Sequence, residues 1–200
     1  MPRVSIVYFS GMGHTRLMAE AVAEGAGQVS GTIAHLLPIT GAQITEGSWS
    51  DPAILEPLSQ SDAIVFGSPT YMGGVAAQFK AFLDAASTIW LQQAWKDKIA
   101  GGFTHSNSPS GDKQGTLLYL VTNAMQHGMI WVGTGELSQK NGVNRLGSFL
   151  GPMGNTLPSF GGGPPQVDPS DLLTSERYGA RIARILQGRG LPESHAAGQD

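Results

Sequence analysis

The chain alternates strand-like runs with amphipathic helical segments, and this alternation limits the folds that it can adopt. The runs are rich in β-branched and aromatic residues, whereas apolar residues between them recur at helical spacing. Strands are predicted at residues 4–9, 32–39, 63–66, 99–104 and 129–132. Helices are predicted at residues 14–27, 52–59, 75–86, 117–125 and 168–186. This alternation predicts an α/β protein whose parallel sheet is covered by helices on both faces.

Composition excludes several classes of protein. The net charge is −3 and no cluster of Lys and Arg occurs. Both observations argue against a protein that binds nucleic acids or anionic membrane surfaces. The absence of Cys excludes disulfides, thiolate metal sites and cysteine nucleophiles, and we predict no metal site. No signal peptide is recognisable and no apolar run approaches ~20 residues, so we expect a cytoplasmic protein without membrane insertion.

The chain is expected to form one domain over residues 1–187, followed by a disordered tail over residues 188–200. Glycine makes up 28 of the 200 residues, about twice the usual share of ~7%. Many of these glycines fall in residues 134–167, a segment without clear periodicity. Because it is too long for a passive connection, we predict that it acts as a lid or a subunit contact.

Three polar, Gly-containing loops follow predicted strands, at residues 10–15, 68–74 and 104–115. The carboxyl ends of parallel strands meet at one edge of a sheet, where ligands of such folds bind. We therefore expect the three loops to form one binding site.

The first loop, Ser-Gly-Met-Gly-His-Thr at residues 10–15, resembles three phosphate-binding patterns. A dinucleotide fingerprint requires a glycine where Arg16 stands and an acidic residue near positions 33–42, and both are missing. A Walker loop requires Gly-Lys-Ser/Thr, which does not follow. The flavin mononucleotide pattern Ser/Thr-x-x-Gly-x-Thr is matched by Ser10, Gly13 and Thr15. On these residues alone, a flavin phosphate site at a helix N-terminus and a simple capped turn explain the sequence equally well.

The other two loops carry groups that suit a flavin. Tyr71 stands at the centre of the second loop, where it could stack on a planar ring or instead face the core of a surface turn. Residues 103–111 supply hydroxyl and amide groups for ribityl or phosphate oxygens, although a solvated polar loop has a similar composition.

The chain resembles the flavodoxin-like quinone reductases of the WrbA family. The resemblance is carried by YFSGMGHTRLMAEAVAEGA at 8–26, FGSPTYMGGVAAQFKAFLDAAS at 66–87 and HGMIWVG at 127–133. It implies a flavodoxin-like, doubly wound sheet of five parallel strands in the order 2-1-3-4-5, with FMN as cofactor. It also implies NAD(P)H:quinone oxidoreductase activity, and a homotetramer (or homodimer) with active sites near subunit contacts. Our main hypothesis for the reaction is two-electron, ping-pong transfer from NADH or NADPH through FMN to a quinone.

The resemblance assigns roles to individual residues. Those implied to hold the phosphate are Ser10, Met12, Gly13, His14 and Thr15. Those implied to line the isoalloxazine are Pro69, Thr70, Tyr71, Met72, Gly73 and Gly74. Those implied to bind phosphate and ring edge are Thr104, His105, Ser106, Asn107, Ser108, Ser110 and Gly111. His127 is implied to be catalytic beside the flavin, whereas Trp90 and Met12 are implied to bind nicotinamide and quinone.

This sequence departs from the family at several of these positions. Met12 replaces a common Tyr, Tyr71-Met72 replaces Arg-Phe, and the third loop contains Asn, Ser and Pro instead of several Gly. His127 has an alternative role at a helix end, where it would contact the last carbonyl groups. Trp95 is predicted to be structural.

Two other functions stay open from the sequence. One is an electron carrier of the flavodoxin type, and the other is an FMN-binding regulatory protein without quinone turnover. A Ser-His-Asp hydrolase is poorly supported, because Gly-x-Ser-x-Gly does not occur.

Overall fold

The fold is described from a computed structural model, over residues 1–138, 140–157 and 163–188. The strands are β1 (Arg3–Phe9), β2 (Ile33–Ile39), β3 (Ile44–Thr45), β4 (Ser48–Trp49), β5 (Ala63–Tyr71), β6 (Gly74–Val75), β7 (Ile99–Ser106), β8 (Ile130–Trp131) and β9 (Met153–Asn155). The α-helices are α1 (His14–Gly27), α2 (Pro52–Ser59), α3 (Ala77–Ala85), α4 (Ser87–Leu91), α5 (Lys113–Gln126) and α6 (Pro169–Leu186). Short 3-10 helices lie at Gly41–Gln43 and Lys140–Gly142.

The central sheet has the strand order β2-β1-β5-β7-β8, and all of these neighbours are parallel. Counting only these five strands in chain order, this is the predicted order 2-1-3-4-5, and the α/β, flavodoxin-like fold class is confirmed. Side chains of β1 pack with those of α1 and α6 in one apolar core, and a second core joins the sheet to α2, α3, α4 and α5. The sheet is therefore covered on both faces.

The last position of the sheet is shared by two short strands. β8 pairs with the start of β7, at Ile99 and Ala100, whereas β9 pairs with the end of β7, from Thr104 to Ser106. The sequence predicted one strand at residues 129–132 and no strand in the Gly-rich segment that follows. The structure corrects this prediction, because part of that segment returns to the sheet and extends the carboxyl edge.

Helix α6 packs closely on α1 and on the sheet. A Cβ atom at Gly25 would collide with the carbonyl oxygen of Glu176, and one at Gly179 would collide with that of Val22. The buried Tyr178 hydroxyl donates to the Val132 carbonyl at 2.6 Å and accepts from the Gly102 N–H at 3.1 Å. These contacts fix the middle of α6 relative to α1 and to the sheet.

Several smaller features differ from the predicted elements. The connection over residues 40–51 contains the antiparallel pair β3 and β4, and the predicted helix 75–86 begins at Ala77. Trp95 is fully buried, as expected for a structural residue. Across the described ranges, no helix combines the length and apolarity needed to cross a bilayer. The predicted disordered tail lies, from residue 189 onwards, outside the described residues.

Candidate cofactor-binding site

The three predicted loops meet at the carboxyl edge of the sheet and enclose a cavity of about 510 Å³. Its lining residues are Ser10, Gly11, Met12, His14, Thr15, Pro69, Thr70, Tyr71, Met72, Gly73, His105, Ser106, Asn107, Ser108, Gly111 and Asp112. All of these except Gly11 and Asp112 were predicted site residues. The cavity is thus formed by the carboxyl ends of β5 and β7, the start of α1 and the loops after β1, β5 and β7.

The first loop presents unused donors at the start of α1. The Ser10 Oγ atom accepts hydrogen bonds from the N–H groups of Gly13 and Arg16, both at 3.1 Å. Its own proton stays available to a ligand, because a hydroxyl both accepts and donates. Within the described part of the chain, the N–H groups of Met12, His14 and Thr15 make no hydrogen bond. Together with the positive end of the helix dipole, they form an anion-binding end of the cavity.

Glycine is required at two positions of this loop. Gly13 has φ of +89°, and a Cβ atom there would lie 2.6 Å from the ring of Pro165. A Cβ atom at Gly11 would collide with the hydroxyl of Tyr71. The second loop and the segment before α6 are therefore in direct contact with the first loop.

The second loop is a tight hairpin between β5 and β6. Its two turn residues, Met72 and Gly73, have φ of +49° and +80°. A positive φ is costly for a residue with a side chain, by roughly 1–2 kcal/mol. The Met72 side chain is fully exposed at the cavity mouth, beside the exposed Met12 and Tyr71. The mouth therefore offers an apolar rim to a planar ligand.

The base of this loop is held by hydroxyl groups. Thr70 hydrogen-bonds to Thr104 at 2.8 Å and to Thr116 at 2.7 Å, and all three residues are buried. Ser68 Oγ accepts from the Ala76 N–H at 3.0 Å. The Thr70 hydroxyl thus links β7 to α5, whereas Thr104 does not line the cavity.

The third loop is wrapped around a buried ammonium group. Lys113 Nζ donates to the Ser106 hydroxyl at 3.0 Å, the Ser108 carbonyl at 2.9 Å and the Pro109 carbonyl at 2.8 Å. Burial lowers the pKa of Lys113 to about 8, although Asp171 opposes that shift. Since these oxygens point inward to the lysine, the loop has a fixed shape on its cavity side.

Two imidazole rings stack inside the cavity. The centroids of His14 and His105 are 4.6 Å apart, and the planes differ by 6°. Burial and the nearby positive groups His14, Lys113 and Arg145 lower the pKa of His105 to about 3. Burial also lowers the pKa of His14.

The Gly-rich segment supports the third loop from behind. Asn155 Nδ2 donates to the Asn107 carbonyl at 2.8 Å, and its N–H donates to the buried carboxylate of Asp171 at 3.0 Å. Arg145 donates to the same carboxylate at 2.7 Å and to the Asn155 carbonyl at 3.0 Å. Burial raises the pKa of Asp171, while Arg145 and the Asn155 N–H oppose that shift.

Six predicted site residues do not line the cavity, namely Gly13, Gly74, Thr104, Ser110, His127 and Trp90. Gly13 shapes the turn below it. Trp90 lies on the short helix α4 and is partly exposed. His127 follows the other end of α5, about 20 Å along the helix from Lys113. Its buried ring packs on Trp95, with centroids 4.5 Å apart, and burial lowers its pKa.

Sequence reasoning also missed four residues, namely Gly11, Asp112, Lys113 and Arg145. Gly11 and Asp112 lay within predicted loops. Gly11 could have been identified from the sequence, because it is adjacent to Ser10, a predicted phosphate ligand. Nothing in the sequence distinguishes Lys113 or Arg145 from solvent-exposed basic residues.

The cavity fits FMN, the cofactor that the resemblance implied. Free N–H groups, a hydroxyl proton and a helix N-terminus at one end suit a phosphate monoester. An apolar rim and a loop of fixed shape at the other end suit a planar ring.

Comparisons with known proteins agree with this geometry. A family model described as NADPH-dependent FMN reductase matches residues 5–143. Flavodoxin FldP from Pseudomonas aeruginosa is 42% identical, over 94% of this chain and 98% of that protein. An NAD(P)H dehydrogenase (quinone) from Trichlorobacter lovleyi is 31% identical, over 92% and 97%. The crystal structure of a flavodoxin, WrbA-like protein from Agrobacterium tumefaciens superposes with a TM-score of 0.74 at 40% identity, over 95% of this chain and 100% of that one.

Proposed function

The chain belongs to the NADPH-dependent FMN reductase family, and from that premise we propose that it is an FMN-dependent NAD(P)H:quinone oxidoreductase. The observation that carries the proposal is the cavity that joins an anion-binding end to an apolar mouth. The relatives named NAD(P)H dehydrogenase (quinone), at about 31% identity, support the choice of donor and acceptor.

Each loop has its own task in this proposal. The Ser10 hydroxyl and the N–H groups of His14 and Thr15 hold the phosphate, while the second and third loops hold the planar ring. When bound, FMN would supply the hydride-transfer chemistry between NAD(P)H and a quinone. Met12 and Met72 shield the ring from water, and nicotinamide and quinone occupy the mouth in turn, as ping-pong transfer requires.

A second candidate is an electron carrier that docks redox partners and has no quinone turnover. It is favoured by the 42% identity to Flavodoxin FldP, which extends over 98% of that protein. A regulatory protein that binds FMN would likewise show no quinone turnover, so a quinone assay does not distinguish it from the carrier.

The decisive experiment adds FMN to the purified protein, removes the excess and follows the flavin absorbance. We expect a bound flavin that NADH or NADPH bleaches, followed by steady oxidation of the nicotinamide with benzoquinone. Bound flavin without steady turnover would favour the carrier or the regulatory protein. A protein that takes up no FMN would contradict all three functions.

The same assay tests the catalytic role predicted for His127. Its replacement by Phe keeps a ring against Trp95 but removes both nitrogens. Since His127 does not line the cavity, we expect H127F to bind FMN normally. If His127 is a catalytic proton donor, its removal lowers quinone turnover about 100-fold or more. Unchanged turnover in H127F would contradict the role.

A further inference from the structure

The cavity must accommodate an anion without a lysine or arginine in its lining. A phosphate monoester carries about −1.5 to −2 charges at neutral pH. The titratable lining residues are His14, His105, Tyr71 and Asp112, and the last is acidic.

Nearby cations are already engaged by other groups. Arg16 pairs with Glu20 on the exposed side of α1, and Lys113 donates to three loop oxygens. Arg145 lies between the carboxylates of Asp171 and Asp168. Among the titratable lining residues, only the two imidazoles can therefore add a positive charge to the N–H groups at the anion-binding end.

The hydrogen bonds of His105 fix its tautomer, and burial and nearby positive groups favour its neutral form. The Thr156 hydroxyl donates its one proton to the Gln166 carbonyl at 2.8 Å. The same oxygen must then accept from His105 Nε2, which lies 3.1 Å away. The buried His105 ring thus carries its proton on Nε2, and a second proton would face His14, Lys113 and Arg145.

His14 differs from His105 in position and in exposure. It is the first residue of α1, it lines the cavity, and its ring is only partly buried. Without a ligand, burial and the positive end of the helix both favour the neutral ring. An anion at this helix end reverses that preference, because an opposite charge favours the protonated form.

We propose that His14 takes up a proton when the phosphate of the cofactor binds, with the neutral His105 ring as its stacking support. His14 thereby adds to the preference of the site for a phosphorylated flavin over uncharged riboflavin. The groups that face the pair are Tyr71 and Asp112 in the lining, and Lys113 and Arg145 beyond His105. The inference rests on the proposed FMN site and deepens it.

The test measures FMN and riboflavin affinity of the cofactor-free full chain by flavin fluorescence, from pH 5.5 to 8.5. The variant H14Q keeps an amide donor but has no charge, and H14N is a second variant. H35Q is the matched control, because His35 is exposed on the edge strand β2. Calorimetry in two buffers of different ionisation enthalpy counts the protons taken up.

We expect the ratio of wild-type to H14Q affinity for FMN to grow as the pH falls. It should change by roughly tenfold for each unit by which the phosphate raises the pKa of His14. The second ionisation of FMN itself affects both proteins and cancels in this ratio. Wild type and H35Q should take up protons with FMN beyond those that H14Q takes up, and riboflavin should show no such difference.

The two kinds of failure are distinguishable. An affinity ratio independent of pH, or equal proton uptake by wild type and H14Q, would overturn the role of His14 while leaving the FMN site intact. Absence of FMN binding by wild type would overturn the proposed function, and this inference with it.

Discussion

At the scale of single residues, Lys113 determines the shape of the third loop. Its ammonium group is buried and donates to three oxygens of residues 106–109. Its pKa is about 8, below the ordinary 10.5. Between these values the unfolded chain binds more protons at this position than the folded protein, so this group makes stability rise with pH.

We therefore predict that wild type gains stability relative to K113M as the pH rises from 8 to 10. Urea unfolding at several pH values measures the difference in the free energy of unfolding between the two proteins. The exposed Lys96 provides the control, because K96M should track wild type across this range. A difference between wild type and K113M that is constant with pH would contradict the lowered pKa.

Some residues of the site could be predicted from the sequence, whereas others could not. Ser10, Thr15 and Tyr71 were predicted because their roles depend on local spacing after a strand. Lys113 was not predicted, because its burial depends on carbonyl groups that come together only in the folded loop. Arg145 is a similar case, since its carboxylate partners lie more than 20 positions away.

At the scale of elements, the Gly-rich segment is the part that sequence described least well. The strand β9 has only three residues, Met153–Asn155, and shows no alternation that would reveal it. Its formation depends on pairing with β7, whose end would otherwise lack a neighbour on that side. By contrast, β1, β2, β7 and α1 were predicted near their observed bounds, because each shows its own periodicity, whereas β5 extends five residues beyond its predicted end.

The link between this segment and α6 can be tested through Arg145. Removing its guanidinium leaves the buried Asp171 carboxylate without its ion-pair partner, which costs about 3–5 kcal/mol in buried pairs. We predict that R145M lowers the thermal midpoint strongly and also weakens FMN binding, because Asn155 then supports Asn107 less firmly.

Arg177 offers the matched control on α6. It faces Glu136 at 3.6 Å on the protein surface, where such a pair contributes about 0–1 kcal/mol. R177M should therefore change the thermal midpoint little. Equal effects of R145M and R177M in thermal unfolding would contradict the buried link.

At the scale of the whole molecule, the fold was predictable because the alternation of strands and helices leaves few arrangements. Parallel strands require crossover helices, and these must cover both faces of the sheet. Assembly is less predictable, since an exposed apolar residue in one chain does not reveal its partner. The homotetramer implied by the resemblance therefore stays a prediction.

The outer face of α5 provides the means to test that assembly. Leu118 and Met125 lie seven positions apart, hence on one face of the helix, and are 50% and 48% exposed. Ile130, in the edge strand β8, is 52% exposed. A second copy of this chain would cover these side chains and remove them from water, which stabilises association by about 25 cal/mol per Å² of apolar surface.

We therefore predict a particle larger than one chain at micromolar concentration, measured by light scattering after size exclusion. L118E and M125E should shift it towards the monomer, because a buried, unpaired carboxylate is costly in an interface. T45E is the control, as Thr45 is exposed in the separate β3–β4 pair. A wild-type monomer at this concentration would contradict the predicted assembly, and an oligomer unaffected by L118E and M125E would place its interface on another face.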